Sequence, residues 1–146
     1  MTTFVNALDN VGPASWTTHA GNIRVALLRS TGDAPTLTET TMAALWSGGC
    51  VEITDTDYAR GVLDNLAVVA TGPDRVLDAD SYVWTAVGTV GSGQTVMGAV
   101  IYLHVTDDSD SVPLFHQAEF VGTLNGTDAI MQIGTGGVYL FDADPT

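Results

Sequence analysis

The chain contains no lysine, and four arginines are the only strong cations against 17 aspartates and glutamates. The formal net charge at pH 7 is therefore −13. Because nucleic-acid-binding proteins neutralise phosphates with Lys and Arg, this balance excludes nucleic acid as the expected partner. Charged residues make up only 14% of the chain, against about 25% in ordinary domains. A sparsely charged surface suits a protein that is partly covered in an assembly, and a compositional bias toward Asp and Thr is the alternative explanation.

Long apolar runs are also missing, since no stretch reaches the roughly 18 apolar residues of a membrane-spanning helix. The first residues, M-T-T-F-V-N-A-L-D-N, carry no basic leader and place Asp9 where a secretory signal would be apolar. We therefore expect synthesis without export and no membrane partner. The single cysteine, Cys50, excludes an intrachain disulfide. We interpret it as a small buried hydrophobic residue at the head of C-V-E-I.

What the chain does contain is typical of one folded β domain. It has 146 residues, 45% of them hydrophobic, and short β-branched or aromatic runs alternate with turn signals such as Gly72-Pro73-Asp74. This pattern predicts an all-β fold, mainly an antiparallel β-sandwich or barrel, with one short α-helix near residues 37–47. We predict an N-terminal arm or short helix at 1–14, a single β-sandwich domain at 15–141 and a solvated tail at 142–146.

The helix prediction depends on T-L-T-E at residues 36–39. This segment matches a capping box, in which the hydroxyl of Thr36 and the carboxylate of Glu39 satisfy free amides of the first turn. Met42, Leu45 and Trp46 supply an apolar stripe, and the two glycines at 48–49 end the helix. The predicted helix is about three turns long.

The stretch from residue 78 to residue 105 is predicted to form a hairpin at the centre of the fold. The runs D-A-D-S-Y-V-W-T-A-V and V-M-G-A-V-I-Y-L-H-V flank a Gly- and Ser-rich connection, as in a β-hairpin. The second run is the most continuously apolar, which predicts a central strand covered on both faces. T-L-N-G-T at 123–127 predicts another hairpin, because Asn-Gly readily adopts a type I′ turn.

The polar residues form no recognisable catalytic or metal-binding motif. His104 and His116 lie on neighbouring predicted strands without a third ligand, so we interpret them as ordinary strand histidines. The aspartate clusters fit no EF-hand loop, and we interpret them as solvated turn carboxylates, with a structural cation as the alternative. The aromatic residues are assigned to core packing rather than to a carbohydrate platform. We therefore predict no catalytic residue, no cofactor, no metal and no enzymatic activity.

Five segments also carry a family resemblance when they are taken in order. They are I-R-V-A-L-L-R-S at 23–30, V-E-I-T-D-T-D-Y-A-R-G at 51–61, D-A-D-S-Y-V-W-T-A-V at 78–87, G-A-V-I-Y at 98–102 with an acidic turn and P-L-F, and G-V-Y-L-F at 137–141. Together they resemble a family of small virion structural proteins of tailed bacteriophages. D-A-D-x-x-x-W-T and G-A-V-I-Y carry the resemblance most strongly. The segment E-I-T-D-T-D-Y-A-R-G is similar to the family's E-x-S-G-T-G-Y-x-x-G, with Asp at the glycine positions.

The resemblance implies a virion component made in the host cytoplasm, and small size with one β domain indicates a capsid decoration or cement protein. Such proteins bind the outer surface of the major capsid protein lattice, commonly as trimers, and stabilise the expanded shell. The alternatives are a tail, head–tail joining or fibre-associated protein and, from a different class, a carbohydrate- or receptor-binding β-sandwich. Because strand edges or an N-terminal arm can add to a partner's sheet, the candidate contact residues are Thr2, Thr3, Phe4, Val5, Leu8 and Trp16.

Overall fold

The computed structural model describes residues 1–141, and its regular structure is mostly antiparallel β-sheet. The strands, numbered in chain order, are β1 Thr2–Thr3, β2 Ile23–Arg29, β3 Gly61–Val62, β4 Ala67–Thr71, β5 Asp74–Asp78, β6 Tyr82–Val87, β7 Thr95–Leu103, β8 Val112–Gln117, β9 Gly122–Thr123, β10 Thr127–Met131 and β11 Tyr139–Phe141. The helices are α1 Ala7–Asn10 and α2 Met42–Ser47, with a 3₁₀ turn at Trp16–His19. The predicted all-β fold is confirmed. Neither α-helix has the length and apolar character to cross a membrane.

The largest sheet has six strands and is built around β7. Its strand order is β1-β8-β7-β2-β3, and β9 pairs with the first residues of β7. Strand β7 pairs with β2 from Ile23 opposite Leu103 to Arg29 opposite Val96. Every residue of β7 is buried except the exposed Thr95 and the half-buried Met97. The prediction that this apolar run forms a central strand is therefore confirmed.

Two smaller sheets face one side of this large sheet. One pairs β10 with β6, and the other has the order β11-β5-β4. Alternate residues of β2 and β7, such as Val25 and Ile101, meet Leu77 of β5 and Trp84 of β6 in the main hydrophobic core. The three sheets therefore form a sandwich with one continuous core between its layers.

The opposite side of the large sheet is covered by α2 and by the N-terminal segment. Leu28 and Val100 of the sheet contact a second core that includes Phe4 and the α2 residues Met42 and Leu45. Because the large sheet is covered on both faces, its central strands are almost entirely apolar.

Helix α2 is shorter than predicted and begins at Met42 rather than at residue 37. Glu39 does accept hydrogen bonds from the amide and the hydroxyl of Thr36, at 3.0 and 2.9 Å. Leu37, however, has a φ of 68°, which is incompatible with a right-handed helix. The actual N-cap is Thr41, whose hydroxyl accepts from the amide of Ala44 at 3.1 Å.

The prediction of a hairpin at 78–105 is wrong in its pairing. Strand β6 pairs with β10, whereas β7 belongs to the large sheet. Val87 and Val96, at the two ends of the glycine-rich connection, both enter the main core, so the strands face each other across the sandwich. The connection packs so closely against the backbone at Leu124 that a Cβ at Gly93 would overlap the carbonyl oxygen of Leu124.

The hairpin predicted at residues 123–127 is also wrong. Thr123 pairs with Thr95 of β7, and Thr127 pairs with Val87 of β6. Gly126 has a positive φ of 83°, but Asn125 does not share this conformation, so the type I′ turn is absent at this connection. The Asn-Gly step instead carries the chain from the large sheet to the β6–β10 sheet.

Candidate functional site

The N-terminal segment is integrated into the fold. In β1, Thr2 lies opposite His116 and Thr3 opposite Phe115. The pairing continues where the amide of Phe4 donates to the carbonyl of Leu114 at 2.9 Å. These bonds satisfy the edge of β8 from within the chain.

Two of the six candidate contact residues lie inside the protein, and this corrects their assignment to a contact surface. Phe4 is 2% exposed in the second core, and Trp16 is fully buried in the main core. The indole Nε1 of Trp16 donates to the carbonyl of Asp78 at 2.7 Å. An apolar residue near a chain end serves a core as readily as an interface, and the sequence does not distinguish the two. Of the other four, Thr2, Val5 and Leu8 are exposed, and Thr3 is half-buried.

The histidines and the cysteine occupy separate environments. His116 is 8% exposed, its Nε2 has no hydrogen-bond partner, and burial lowers the pKa of its imidazole. His104 is half-buried at the end of β7, with Nδ1 at 3.4 Å from the hydroxyl of Ser111. Burial, with smaller effects of Glu39 and Asp33, raises the pKa of Cys50 to about 11, so its thiol stays protonated. Among residues 1–141, no three His, Cys, Asp or Glu side chains are grouped closely enough to hold a metal ion.

The aspartates of the acidic turns bind backbone amides. Asp55 accepts from the amide of Gln94 at 2.6 Å and, through its other oxygen, from Thr56 and Thr89 at 2.8 Å. These bonds lower the pKa of Asp55 to about 2. Asp110 likewise accepts from two amides of its own turn, which lowers its pKa. Asp55 therefore ties its turn to the connection that precedes β7, and Asp110 fixes the turn between β7 and β8 of the large sheet.

Sequence reasoning missed the cluster formed around Arg60. The guanidinium donates to both oxygens of Glu52, from Nε and Nη2 at 2.7 Å, and to both oxygens of Asp108. It lies 5.5 Å from the ring centres of both Trp46 and Tyr102. Hydrogen bonds to Asp108 and then to Glu52 raise the pKa of Arg60, and the cation in turn lowers the pKa of Asp108.

The Arg60 cluster (Glu52, Arg60, Asp108, Trp46 and Tyr102) joins distant segments rather than forming a binding site. Trp46 of α2 donates to Asp108 at 2.8 Å. The amide of Ala43 donates to the carbonyl of Asp108 at 2.8 Å. Because Arg60 is engaged by two carboxylates, it is not presented to an anionic ligand. The cluster anchors α2 to the sheet and to the 104–111 turn.

An apolar groove lies on the other side of the molecule, between β9 and β10. Its cavity has a volume of about 160 Å³ and is lined by Val96, Phe120, Val121, Gly122, Thr123, Leu124, Ala129 and Ile130; we call this set the β10 groove. Val121 is 67% exposed and Ile130 is 48% exposed. Val83, opposite Ile130 in the β6–β10 pairing, is also exposed. Exposed apolar side chains that surround a cavity mark contact sites for other molecules.

A second, more open cleft of about 440 Å³ has a polar character. Its lining includes Asp78, Asp80 and Ser81. The side-chain Nδ2 of Asn65 donates to the carboxylate of Asp80 at 2.6 Å, and the backbone amide of Ile133 donates to the hydroxyl of Ser81 at 2.9 Å. Because internal donors engage these groups, the β10 groove is the stronger candidate site.

Comparison of the chain with protein-family models, curated proteins and solved structures gave no match.

Proposed function

We propose that the protein is a non-enzymatic structural component of a tailed-bacteriophage virion. In this proposal it is a capsid decoration protein that binds the outer surface of the major capsid protein lattice. The observation that carries the proposal is the β10 groove, in which the exposed Val121 and Ile130 line an apolar cavity beside a strand. Contiguous exposed apolar surface is typical of protein contacts. The resemblance of residues 78–87 and 98–102 to small virion proteins supports a phage virion as the assembly to which the protein belongs.

The distribution of charge supports a basic protein surface as the partner. The chain carries a net charge of −13, and one of its four arginines, Arg60, is paired internally with two carboxylates. A surface of this sign repels other acidic molecules and is attracted to positive patches. The same repulsion keeps free copies soluble before they bind.

The proposed mechanism is mechanical. A stable protein interface buries about 1,200–2,000 Å² in total, and a decoration protein divides such contacts among neighbouring lattice subunits. Each bound copy then holds its neighbours together, and dissociation requires all contacts to break. Association of the copies as a homotrimer on the capsid surface belongs to the same proposal. A sandwich closed by two cores and the Arg60 cluster suits this role, because a rigid body transmits load between its contacts.

Quantitative mass spectrometry of purified virions tests the assignment. We expect a copy number comparable with that of the major capsid protein. We also expect particles that lack the protein to lose their DNA at a lower temperature, with recovery on addition of the purified chain. A copy number in small multiples of three or six would instead assign the protein to the tail or the head–tail junction. Absence from the particles would refute a virion role.

A further inference from the structure

We propose that the β10 groove binds an extended apolar segment of a partner protein, flanked by Lys or Arg, which pairs with the free edge of β10. This inference deepens the proposed function, because it identifies the surface through which the chain would hold the capsid lattice. It commits to a different, basic protein as the occupant rather than to a second copy of this chain.

The position of the groove beside β10 favours an added strand as its occupant. In the described residues, β10 pairs with β6 alone. None of the residues that line the cavity belongs to β6, whereas Ala129 and Ile130 of β10 do line it. The groove therefore lies along the edge of β10 that faces away from β6. An unpaired strand edge of this kind is a template for an added strand, whose main chain supplies the hydrogen bonds.

The size and chemistry of the cavity suit a large apolar side chain. Its volume of about 160 Å³ is close to that of apolar protein cavities that take a benzene-sized group, about 150 Å³. Val96, Phe120 and Leu124 contribute apolar side chains to its lining. One large apolar side chain of an added strand fits this space. Its neighbours along the strand point away, because side chains alternate between faces.

The charges next to the groove favour a basic partner. Glu119 and Asp128 directly precede the two lining segments, and both are exposed. Asp128 accepts the amide of Ala86 through Oδ1 at 2.8 Å, and the lining contains no Arg. A second copy would bring the same acidic groups and a net charge of −13. Lys or Arg at both ends of the incoming segment would pair with these carboxylates and give the contact its specificity. Electrostatic complementarity thus favours a basic partner over self-association.

Synthetic peptides of about ten residues, the upper range of natural strands, provide the probe. They alternate Val and Thr around a central Leu, Ile, Phe or Trp and carry two Lys at each end. Control peptides either replace every Lys with Glu or place Pro at two central positions and keep the charge. Isothermal titration with the full chain should give at least one Lys-flanked peptide a Kd lower by about tenfold or more than both controls. Amide hydrogen exchange should slow across β10 in that complex.

Val121→Glu tests the groove, and Val69→Glu is the matched control. Val69 is a 44% exposed valine on β4, in a different sheet. Both changes add the same negative charge, so nonspecific attraction of a cationic peptide should rise equally. We expect Val121→Glu to weaken binding by about tenfold or more and Val69→Glu to leave it within about twofold of the unmodified chain. Circular dichroism verifies that both variants fold.

Three results would overturn the inference: no peptide better than the proline control, equal effects of the two variants, or self-association of the chain that Val121→Glu abolishes. The last result would make a second copy the occupant. The virion copy number is measured independently. Failure of peptide binding with abundant virion protein would refute the groove and leave the decoration role intact. Peptide binding by a protein that is absent from virions would refute the decoration role and leave the groove intact as a binding site.

Discussion

Replacement of Arg60 by methionine should destabilise the fold measurably, because it leaves two carboxylates without their cation. Methionine retains an apolar side chain beside the rings of Trp46 and Tyr102. It removes the four hydrogen bonds that Arg60 donates to Glu52 and Asp108 and leaves each carboxylate one neutral donor, Tyr58 for Glu52 and Trp46 for Asp108. Exposed ion pairs contribute about 0.2–1 kcal/mol, and breaking a buried pair costs about 3–5 kcal/mol. The side chains of Arg60, Glu52 and Asp108 are 25%, 23% and 31% exposed, which places the cluster between these limits.

We expect the free energy of unfolding to fall by about 2–3 kcal/mol, which corresponds to roughly 6–10 °C in Tm for a domain of this size. Urea unfolding followed by circular dichroism measures it, and the midpoint should move while the slope stays constant. Arg75→Met is the matched control, because Arg75 is exposed and donates to three carbonyls of its own turn. The control should cost less than about 1 kcal/mol.

The difference in free energy of unfolding between the parent chain and Arg60→Met should depend on pH, which supplies a second test. Arg60 lowers the pKa of Asp108 in the folded protein, so folding is favoured where this carboxyl is ionised. This contribution is fully present above the unfolded value of about 3.9 and is lost as the pH falls through the folded pKa. The gap between the parent chain and Arg60→Met should therefore be largest near neutral pH and shrink below about pH 4. A gap that matches that of Arg75→Met at neutral pH would refute the reasoning.

Two further substitutions test the fold itself. Gly93→Ala should destabilise the protein by more than about 2 kcal/mol, because the added Cβ would overlap a backbone carbonyl. Gly134→Ala, where no atom lies within 4 Å of the added Cβ, should stay within about 0.5 kcal/mol of the parent chain in the same urea titration. Phe4→Ala should cost about 3–5 kcal/mol because Phe4 is buried, whereas Val5→Ala should be nearly neutral at a 60% exposed site. Equal Tm values for these last two variants would show that the packing of Phe4 in the second core does not contribute to stability.

The sequence predicts the strands well, because a strand is encoded by its own residues. The run at 96–103 identifies β7, and Gly72-Pro73-Asp74 marks the turn between β4 and β5. Pairing is less local. The glycine-rich connection after β6 has the composition of a hairpin, yet Val87 and Val96 enter the core from opposite layers. Strand β6 pairs with β10 and β7 pairs with β2 instead, and neither partner is its neighbour in the sequence.

The candidate sites were harder to predict because their residues come from distant parts of the chain. Arg60 and Asp108 are 48 residues apart. The signal that could have identified this pair is the composition: with four arginines and 17 acidic residues, an arginine is expected to pair with more than one carboxylate. The β10 groove depends on the gap between β9 and β10, which belong to different sheets. No local pattern encodes that gap, so Val121 and Ile130 resemble ordinary exposed strand residues in the sequence.

The charge distribution also separates the two occupants that the β10 groove could take. Every copy carries a net charge of −13, so contacts between copies form against mutual repulsion. Salt screens this repulsion, and the screening length is about 8 Å at physiological ionic strength. Contacts with a Lys-flanked segment form through attraction that salt weakens. Any association of the chain alone in sedimentation should therefore strengthen with salt, while peptide affinity should fall over the same range. Association of copies that weakened with added salt would contradict this assignment, because it would require attractive charge pairs between copies of an acidic chain.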